Sequence, residues 1–210
     1  MSEDNKRRIT AETPEALAEA IRQAAGDDDI TRVEIGEGKD SICVADANPA
    51  RLRSCGPPGN RCTFCCTAAG VNELEKPPMV ACKHLAGRAC GIYADRPKSC
   101  SQFACGWLLG NFDERFRPDR IGAYVAFFMT DEFGFYAVVQ ADSRRLNPKR
   151  LRQLVRRLIT VLPEVRVVYD DERGMIFRAG QPTRRFRIRR DLQRNFEDLV
   201  YEIEEEPAGY

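Results

Sequence analysis

Hydrophobic and polar positions change rhythm twice along this chain of 210 residues. Near the start, Thr13-Pro14-Glu15 predicts a helix entrance, with Thr13 as N-cap and Pro14 in the first turn. Leu17, Ile21 and Ala24 follow on one face, and Gly26 supplies the stop. Ile30, Val33 and Ile35 then suggest a short strand, and Gly36 to Gly38 a loop. The first ten residues, mostly polar, are expected to be loose.

Beyond Phe112 the rhythm is that of an α+β domain. Ile121 to Met129 and Phe135 to Gln140 predict two strands, joined by a hairpin loop at Thr130-Asp131-Glu132-Phe133-Gly134. Asn147-Pro148 opens a helix in which Leu151, Leu154, Val155, Leu158, Ile159 and Leu162 recur at spacings of three and four, and Pro163 ends it. Val165 to Tyr169 and Gly174 to Arg178 predict two further strands around a turn at Asp170-Asp171-Glu172. Phe186 and Ile188 alternate with arginines, as on an exposed strand. Leu192 to Ile203 predicts a last helix, with Phe196, Leu199, Val200 and Ile203 inward.

Between these regions the apolar rhythm fades. Gly56-Pro57-Pro58-Gly59 and Lys76-Pro77-Pro78 interrupt any long element. Eight of the nine cysteines fall in this stretch: Cys55, Cys62, Cys65, Cys66, Cys82, Cys90, Cys100 and Cys105. Only Cys43 stands apart, and no role is assigned to it. A segment with so little hydrocarbon to bury needs another source of stability, and metal ligation provides one. The expected fold is therefore α+β: an irregular cysteine-rich metal-binding unit joined to a small antiparallel sheet with flanking helices. Residues 1–50 hold the N-terminal helix and extended segment, 55–110 the cysteine cluster, and 120–205 the α+β region packed against it.

Composition sets the compartment. The chain is 43% hydrophobic and 31% charged, with no apolar run long enough to cross a bilayer. Its first twenty residues lack the apolar core of a secretory signal. A cytoplasmic setting with reduced thiols is expected, which disfavours a disulfide framework and favours metal. Buried thiols acting as small hydrophobes are the plain alternative.

The spacing carries chemistry. Thiolates suit zinc and iron–sulfur clusters, and each such centre takes about four of them. In Cys62-Thr63-Phe64-Cys65 one tight turn can deliver two sulfurs to the same metal. Cys65 and Cys66 are adjacent, so their side chains diverge, which suits a bridged or two-site arrangement. Two mononuclear sites, one cluster with spare thiols and a thiolate-bridged polynuclear centre all remain open. The order of cysteines matches neither common ferredoxin spacing nor a zinc finger with two histidines. Lys83, Arg88 and Arg96 could offset the negative charge of such a centre, and Gly91 and Gly106 would let backbone N–H groups approach sulfur. Tyr93, Phe103 and Trp107 could exclude water.

The run Cys62-x2-Cys65-Cys66, Cys82-Lys83-His84-Leu85 and C-x-I-Y-x-x-R-P-x-x-C from Cys90 to Cys100 resembles the zinc- or iron-chelating cysteine-cluster (CxxCxxCC) domain family. The resemblance covers roughly residues 55–110. It implies a small, mostly helical or irregular metal-binding unit whose ligands come from the eight clustered cysteines. His84, Tyr93, Arg96 and Pro97 would surround them. One member of that family is a flagellin lysine methylase thought to carry an iron–sulfur cluster. This chain departs from the pattern at Cys55, which stands seven positions before Cys62 rather than a few.

Charge is segregated. Residues 144–190 carry fifteen Lys/Arg against four Asp/Glu, whereas residues 191–210 carry one against seven. Arg150, Arg156, Arg157, Arg185, Arg187 and Arg189 could neutralise phosphates on a nucleic acid. Internal pairing with Glu202, Glu204, Glu205 and Glu206 is the simpler explanation of that surface. Glycine-rich phosphate loops, a nucleophile elbow and an HExxH helix are all absent from the sequence.

The function expected is that of a metal-binding protein holding an iron–sulfur cluster or zinc, in a structural or redox role, with a protein or redox partner. An iron–sulfur oxidoreductase or methylase-like enzyme is one alternative. A zinc-organised nucleic-acid-binding module using residues 144–190 is another. No membrane association is expected.

Overall fold

A computed structural model describes residues 8–13, 16–17, 19–20, 32–47, 52–53, 55, 62–130, 134–169, 173–188 and, for the backbone, 203–206. A six-stranded sheet dominates. Its strands are β6 (Ala123–Thr130), β7 (Gly134–Ala141), β8 (Glu164–Val168), β9 (Arg173–Arg178), β10 (Arg184–Ile188) and β11 (Ile203–Glu206), in the order β11-β10-β9-β8-β7-β6. The predicted hairpin forms, with β6 and β7 in register from Ala123 opposite Ala141 to Thr130 opposite Gly134. β6 starts at Ala123 rather than Ile121. A turn of helix at Pro118–Ile121 (α3 below) intervenes and is ended by Gly122, whose φ is +71°. A Cβ on Gly122 would lie 2.5 Å from the Arg145 carbonyl, so the break requires glycine.

The predicted amphipathic helix, α4, runs Pro148–Ile159. Asn147 caps it by accepting the Arg150 N–H at 3.1 Å. Leu151, Leu154, Val155 and Leu158 are buried against the sheet, each contributing on the order of 1.5–3 kcal/mol. The helix ends before Pro163, while Leu162 continues the buried stripe beyond it. Because α4 crosses over one face, β7 and β8 run parallel, and the sheet is mixed rather than antiparallel as expected.

Residues near the start build a second sheet. β1 (Arg8–Ala11) pairs parallel with β2 (Arg32–Ile35), and β2 pairs antiparallel with β3 (Ile42–Asp46). The expectation of a loose start therefore fails from Arg8 onward. Arg32 ties this sheet by donating to Glu34 at 2.6 Å and to Asp46 at 2.5 Å. Ahead of β2, Thr13 acts as the predicted cap, accepting the Ala16 N–H at 3.2 Å, and Leu17 is fully buried. Ile21, Ala24, Gly26 and Ile30 lie outside the described residues.

The cysteine-rich segment has only short elements. They are α1 (Cys65–Ala68), the hairpin of β4 (Leu85–Ala86) and β5 (Ala89–Cys90), α2 (Lys98–Gln102) and α3 (Pro118–Ile121). One continuous core joins all three regions: Val33, Ile35 and Ile42 from the small sheet, Cys62, Phe64 and Trp107 from the cysteine segment, and Tyr124, Val139 and Leu154 from the main sheet and its helix. No helix among the described residues is long and apolar enough to cross a membrane.

At the far end of the main sheet, Phe186 and Ile188 point inward and join Val168 and Ile176, while Arg185 and Arg187 are exposed. Ile203 opens strand β11 and does not close a helix as expected; residues 192–202 lie outside the described residues. Gly174 sits opposite Phe186 across β9 and β10, and a Cβ there would come within 2.1 Å of the ring. Gly174→Ala should therefore destabilise the protein by about 1–3 kcal/mol through overpacking. Gly174→Ala combined with Phe186→Leu should recover much of that loss. Urea denaturation of the two variants checks this, and equal midpoints would refute the packing account.

Candidate metal centre

Cys55, Cys62, Cys65 and Cys105 line a single cavity. Phe103, Trp107, Leu108, Pro118 and Tyr124 supply its apolar wall. Local backbone explains how these sulfurs are presented. Cys62-Thr63-Phe64 turns directly into α1, which carries Cys65 into the cavity wall. Two residues after Cys62, the Phe64 N–H donates to the Cys62 sulfur, and Asp119 N–H at the start of α3 donates to it as well. Around Cys105 the same device recurs, with the Leu108 and Trp107 N–H groups donating to its sulfur. Backbone donors aimed at sulfur favour the thiolate over the thiol.

Burial acts against them. It pushes the Cys62 thiol up to about 12 and the Cys105 thiol up to about 11. Desolvation also raises Cys55, with Arg96 opposing. Around neutral pH these groups are protonated thiols, and only a cation would make the thiolates stable at this depth. Among the described residues no three His, Cys, Asp or Glu side chains stand in metal-holding geometry. The cavity is a neighbourhood of four thiols with donors in place, and binding would require their sulfurs to close in.

One further donor faces no partner. Trp107 is 2% exposed, and its Nε1 is buried with no hydrogen-bond acceptor among the described residues. Arg53 lies over its ring at 5.1 Å and reaches the Phe112 carbonyl at 2.5 Å. A buried indole N–H without an acceptor costs about 1–3 kcal/mol.

A second group of thiols gathers around Lys76. Only 8% exposed, Lys76 donates from Nζ to the carbonyls of Thr67 at 3.0 Å, Pro77 at 3.3 Å and Ala69. Burial lowers its pKa, while thiolate charge on Cys82, Cys66, Cys65 and Cys100 opposes that shift. The Cys82 N–H bonds the Cys66 carbonyl at 2.8 Å, bringing these two strands of the loop together. Cys65 and Cys66 form the junction. The Cys65 thiol donates to the Cys66 sulfur, which lowers Cys66, with Lys76 and Arg96 adding to the effect, and raises Cys65. Cys90, on β5, lies near enough to Cys55 to act on its charge.

The neighbours divide. Arg96 stacks on Tyr93, guanidinium to ring 3.7 Å, donates to the Tyr93 carbonyl at 2.9 Å, and acts on Cys55 and Cys66. Lys83 and Arg88 are exposed, and the cations that act on these thiols are Lys76 and Arg96. Phe103 and Trp107 wall the cavity, whereas Tyr93 serves Arg96 instead. Pro97 precedes α2 and accepts the Cys100 N–H at 3.0 Å, so it shapes the turn that presents Cys100. Half-buried His84 offers its carbonyl to Gly91 N–H at 2.8 Å. The Gly106 N–H likewise bonds a carbonyl, that of Val125, at 2.8 Å.

Two residues escaped sequence reasoning. Lysines are almost never fully buried, so nothing marked Lys76. Asn111 bonds both backbone groups of Cys43, accepting its N–H at 2.8 Å and donating to its carbonyl at 2.7 Å. Cys43 itself is buried, and its thiol donates to the Ala45 carbonyl at 3.3 Å, a packing role.

Among the described residues, the arginines of the basic segment singled out above lie on α4 and β10. Arg150 reaches the Arg115 carbonyl at 2.8 Å, Arg157 lies 5.4 Å over the Phe112 ring, and Arg156 is exposed. Arg185 and Arg187 stand directly opposite Glu206 and Glu204 in the β10–β11 register, the arrangement expected of internal compensation. Arg189 lies outside the described residues. The chain matches no protein-family model, no curated protein and no solved structure.

Two predictions concern the metal-free protein. Alkylation with iodoacetamide at pH 7 should label Cys66 first and leave Cys62 and Cys105 unlabelled, because the thiolate is the nucleophile. Lys76→Met should slow Cys66 labelling. Peptide mass mapping over time reads both, and early labelling of Cys62 would contradict the burial account. The second prediction follows from the raised thiols, which stay protonated in the fold after the unfolded chain's thiols ionise. Stability is whole below an unfolded thiol pKa of about 8.5 and falls as pH rises toward about 11–12, where Cys105, Cys43 and Cys62 titrate. Urea midpoints between pH 7 and pH 10.5 should decline, and a flat profile would refute it.

Proposed function

We propose that this chain is a metal-binding protein that holds an iron–sulfur cluster or zinc through its clustered cysteine thiolates. The observation that carries this reading is the cavity shared by Cys55, Cys62, Cys65 and Cys105, with N–H donors already directed at two of its sulfurs. The buried indole N–H of Trp107, a residue of the same wall, supports that reading because it has no acceptor among the described residues. The motif likeness to the CxxCxxCC family supports the same reading.

The residues have distinct tasks. Cysteine thiolates bind, and each releases its proton to solvent as a bond to metal forms. Four thiolates around a divalent ion leave a charge of about −2. Lys76 and Arg96 are placed to offset it at the Cys66 side and the Cys55 side. Phe103, Trp107 and Tyr124 keep water from the cavity. A cluster, when bound, supplies one-electron chemistry, whereas zinc supplies a fixed tetrahedral tie.

Metal and acid-labile sulfide analysis of protein purified without oxygen tests the proposal. Iron with sulfide and absorption near about 400 nm gives the redox form, and stoichiometric colourless zinc gives the structural form. Neither metal, with all thiols free and no uptake on reconstitution, would overturn it.

A further inference from the structure

The two edges of the main sheet differ in chemistry. β11, at one edge, carries Glu204, Glu205 and Glu206, charges of the kind that discourage further pairing. β6, at the other, has no charged residue and no proline from Ala123 to Thr130, and no bulge in its register with β7.

Two hydrogen bonds show which backbone groups of β6 face outward. Gly122 accepts the Asp142 N–H at 2.9 Å, so by alternation Tyr124, Ala126 and Phe128 bond to β7. Val125 accepts the Gly106 N–H at 2.8 Å, so Val125, Phe127 and Met129 point away from β7. Gly106 covers the edge at Val125. Beyond it, the outward N–H and C=O groups of Phe127 and Met129 have no partner among the described residues. Met129 is also 41% exposed, and Phe127 and Phe128 are half-buried, so the edge is apolar as well as unpaired.

We propose that this edge pairs with the same edge of a second copy, joining two main sheets in a two-fold dimer through residues 126–130. The groups available fix the register. Phe127 stands opposite the second copy's Met129, and Met129 opposite its Phe127, so that each pair exchanges both N–H···O bonds. A shift of two residues one way would set Met129 opposite Val125, whose carbonyl Gly106 already holds. The same shift the other way would set Phe127 opposite Asp131, beyond the end of the strand.

In this register Phe128 meets its own copy across the two-fold axis as a non-hydrogen-bonded pair, in which side chains come closest. Met129 lies beside the second copy's Phe127 ring, a sulfur–aromatic contact that covers its exposed surface. Charge and closure select β6 as the partner over β11. β11 would bring glutamates against phenylalanines, and a chain of β6–β11 contacts would extend without closing. Two β6 edges meet without like-charge repulsion and close on themselves. The paired stretch is short, so the dimer is expected to be weak, with dissociation on the order of 1–100 µM.

Sedimentation velocity of the reduced full-length chain, from about 1 to about 300 µM, should show monomer giving way to dimer. Amide hydrogen exchange at Phe127 and Met129 should slow at the high end of that range. Met129→Pro removes an outward N–H and leaves the β6–β7 ladder whole, so it should stay monomeric with an unchanged circular dichroism spectrum. Should it fail to fold, Met129→Lys, a charge at an exposed position, takes its place and should weaken dimerisation by about tenfold or more. A monomer throughout overturns the proposal. So does a dimer that leaves exchange at Phe127 and Met129 unchanged, or one that the folded variant retains. Slow exchange at both residues already in the monomer would mean that the chain itself covers the edge, and would overturn it as well.

Discussion

The segment from Cys105 to Phe112 is fixed by a hydrogen bond from Gly106 N–H to the Val125 carbonyl, at 2.8 Å, on the free edge of the main sheet. A Cβ at position 106 would stand 2.8 Å from the Phe112 ring and 3.2 Å from Val125, so the approach is as close as backbone allows. From that anchor the segment turns outward in two directions. On one side it sets Cys105 and Trp107 against the cavity; on the other, Asn111 clasps the backbone of Cys43 and so holds the small sheet. An edge strand is an invitation to unwanted pairing. Here the edge is occupied by the segment that connects the three parts of the core.

Different physics holds the two halves. The β7-α4-β8 unit stands on hydrocarbon, with Leu154, Leu158 and Val165 almost wholly buried. Residues 62–105 stand on polar ties: Lys76 gathering three carbonyls, Arg96 stacked on Tyr93, and Glu73 accepting from Ser99 Oγ at 2.6 Å. These ties shape loops without providing the burial that normally offsets chain entropy. In the proposed reading, thiolate–metal bonds would complete the balance, and the metal-free form would be the less stable of the two.

Much of this was legible in the chain. Strong periodicity located β6, β7, α4, β8, β9 and β10 within a few residues, because each carries its own apolar face. The strand–helix–strand order around Asn147-Pro148 also held the signal for a parallel pair, since a twelve-residue helix is long enough to cross over. β1 and β3 were not legible. Arg8-Ile9-Thr10-Ala11 has one large apolar residue, and its strand exists only because β2 lies beside it. The eight clustered cysteines were plain, but the expected divergence of Cys65 and Cys66 was not found, because the Cys65 thiol donates to the Cys66 sulfur. Which thiols share a cavity was not legible, because Cys105 joins the other three through its attachment to β6. Asn111 reaches Cys43 across 68 residues, a distance that no local pattern encodes.

The position of the cavity wall in the chain has a consequence for synthesis. Cys55, Cys62, Cys65 and Cys105 all leave the ribosome before Pro118 and Tyr124, which close the wall. At roughly 5–20 residues per second, about 1–4 s pass between Cys105 and Tyr124, and about 3–14 s between Cys55 and Tyr124. A metal donor acting then would meet open thiols, whereas one acting on the finished protein would meet thiols already enclosed. Loading of the proposed centre would thereby be coupled to the timing of translation.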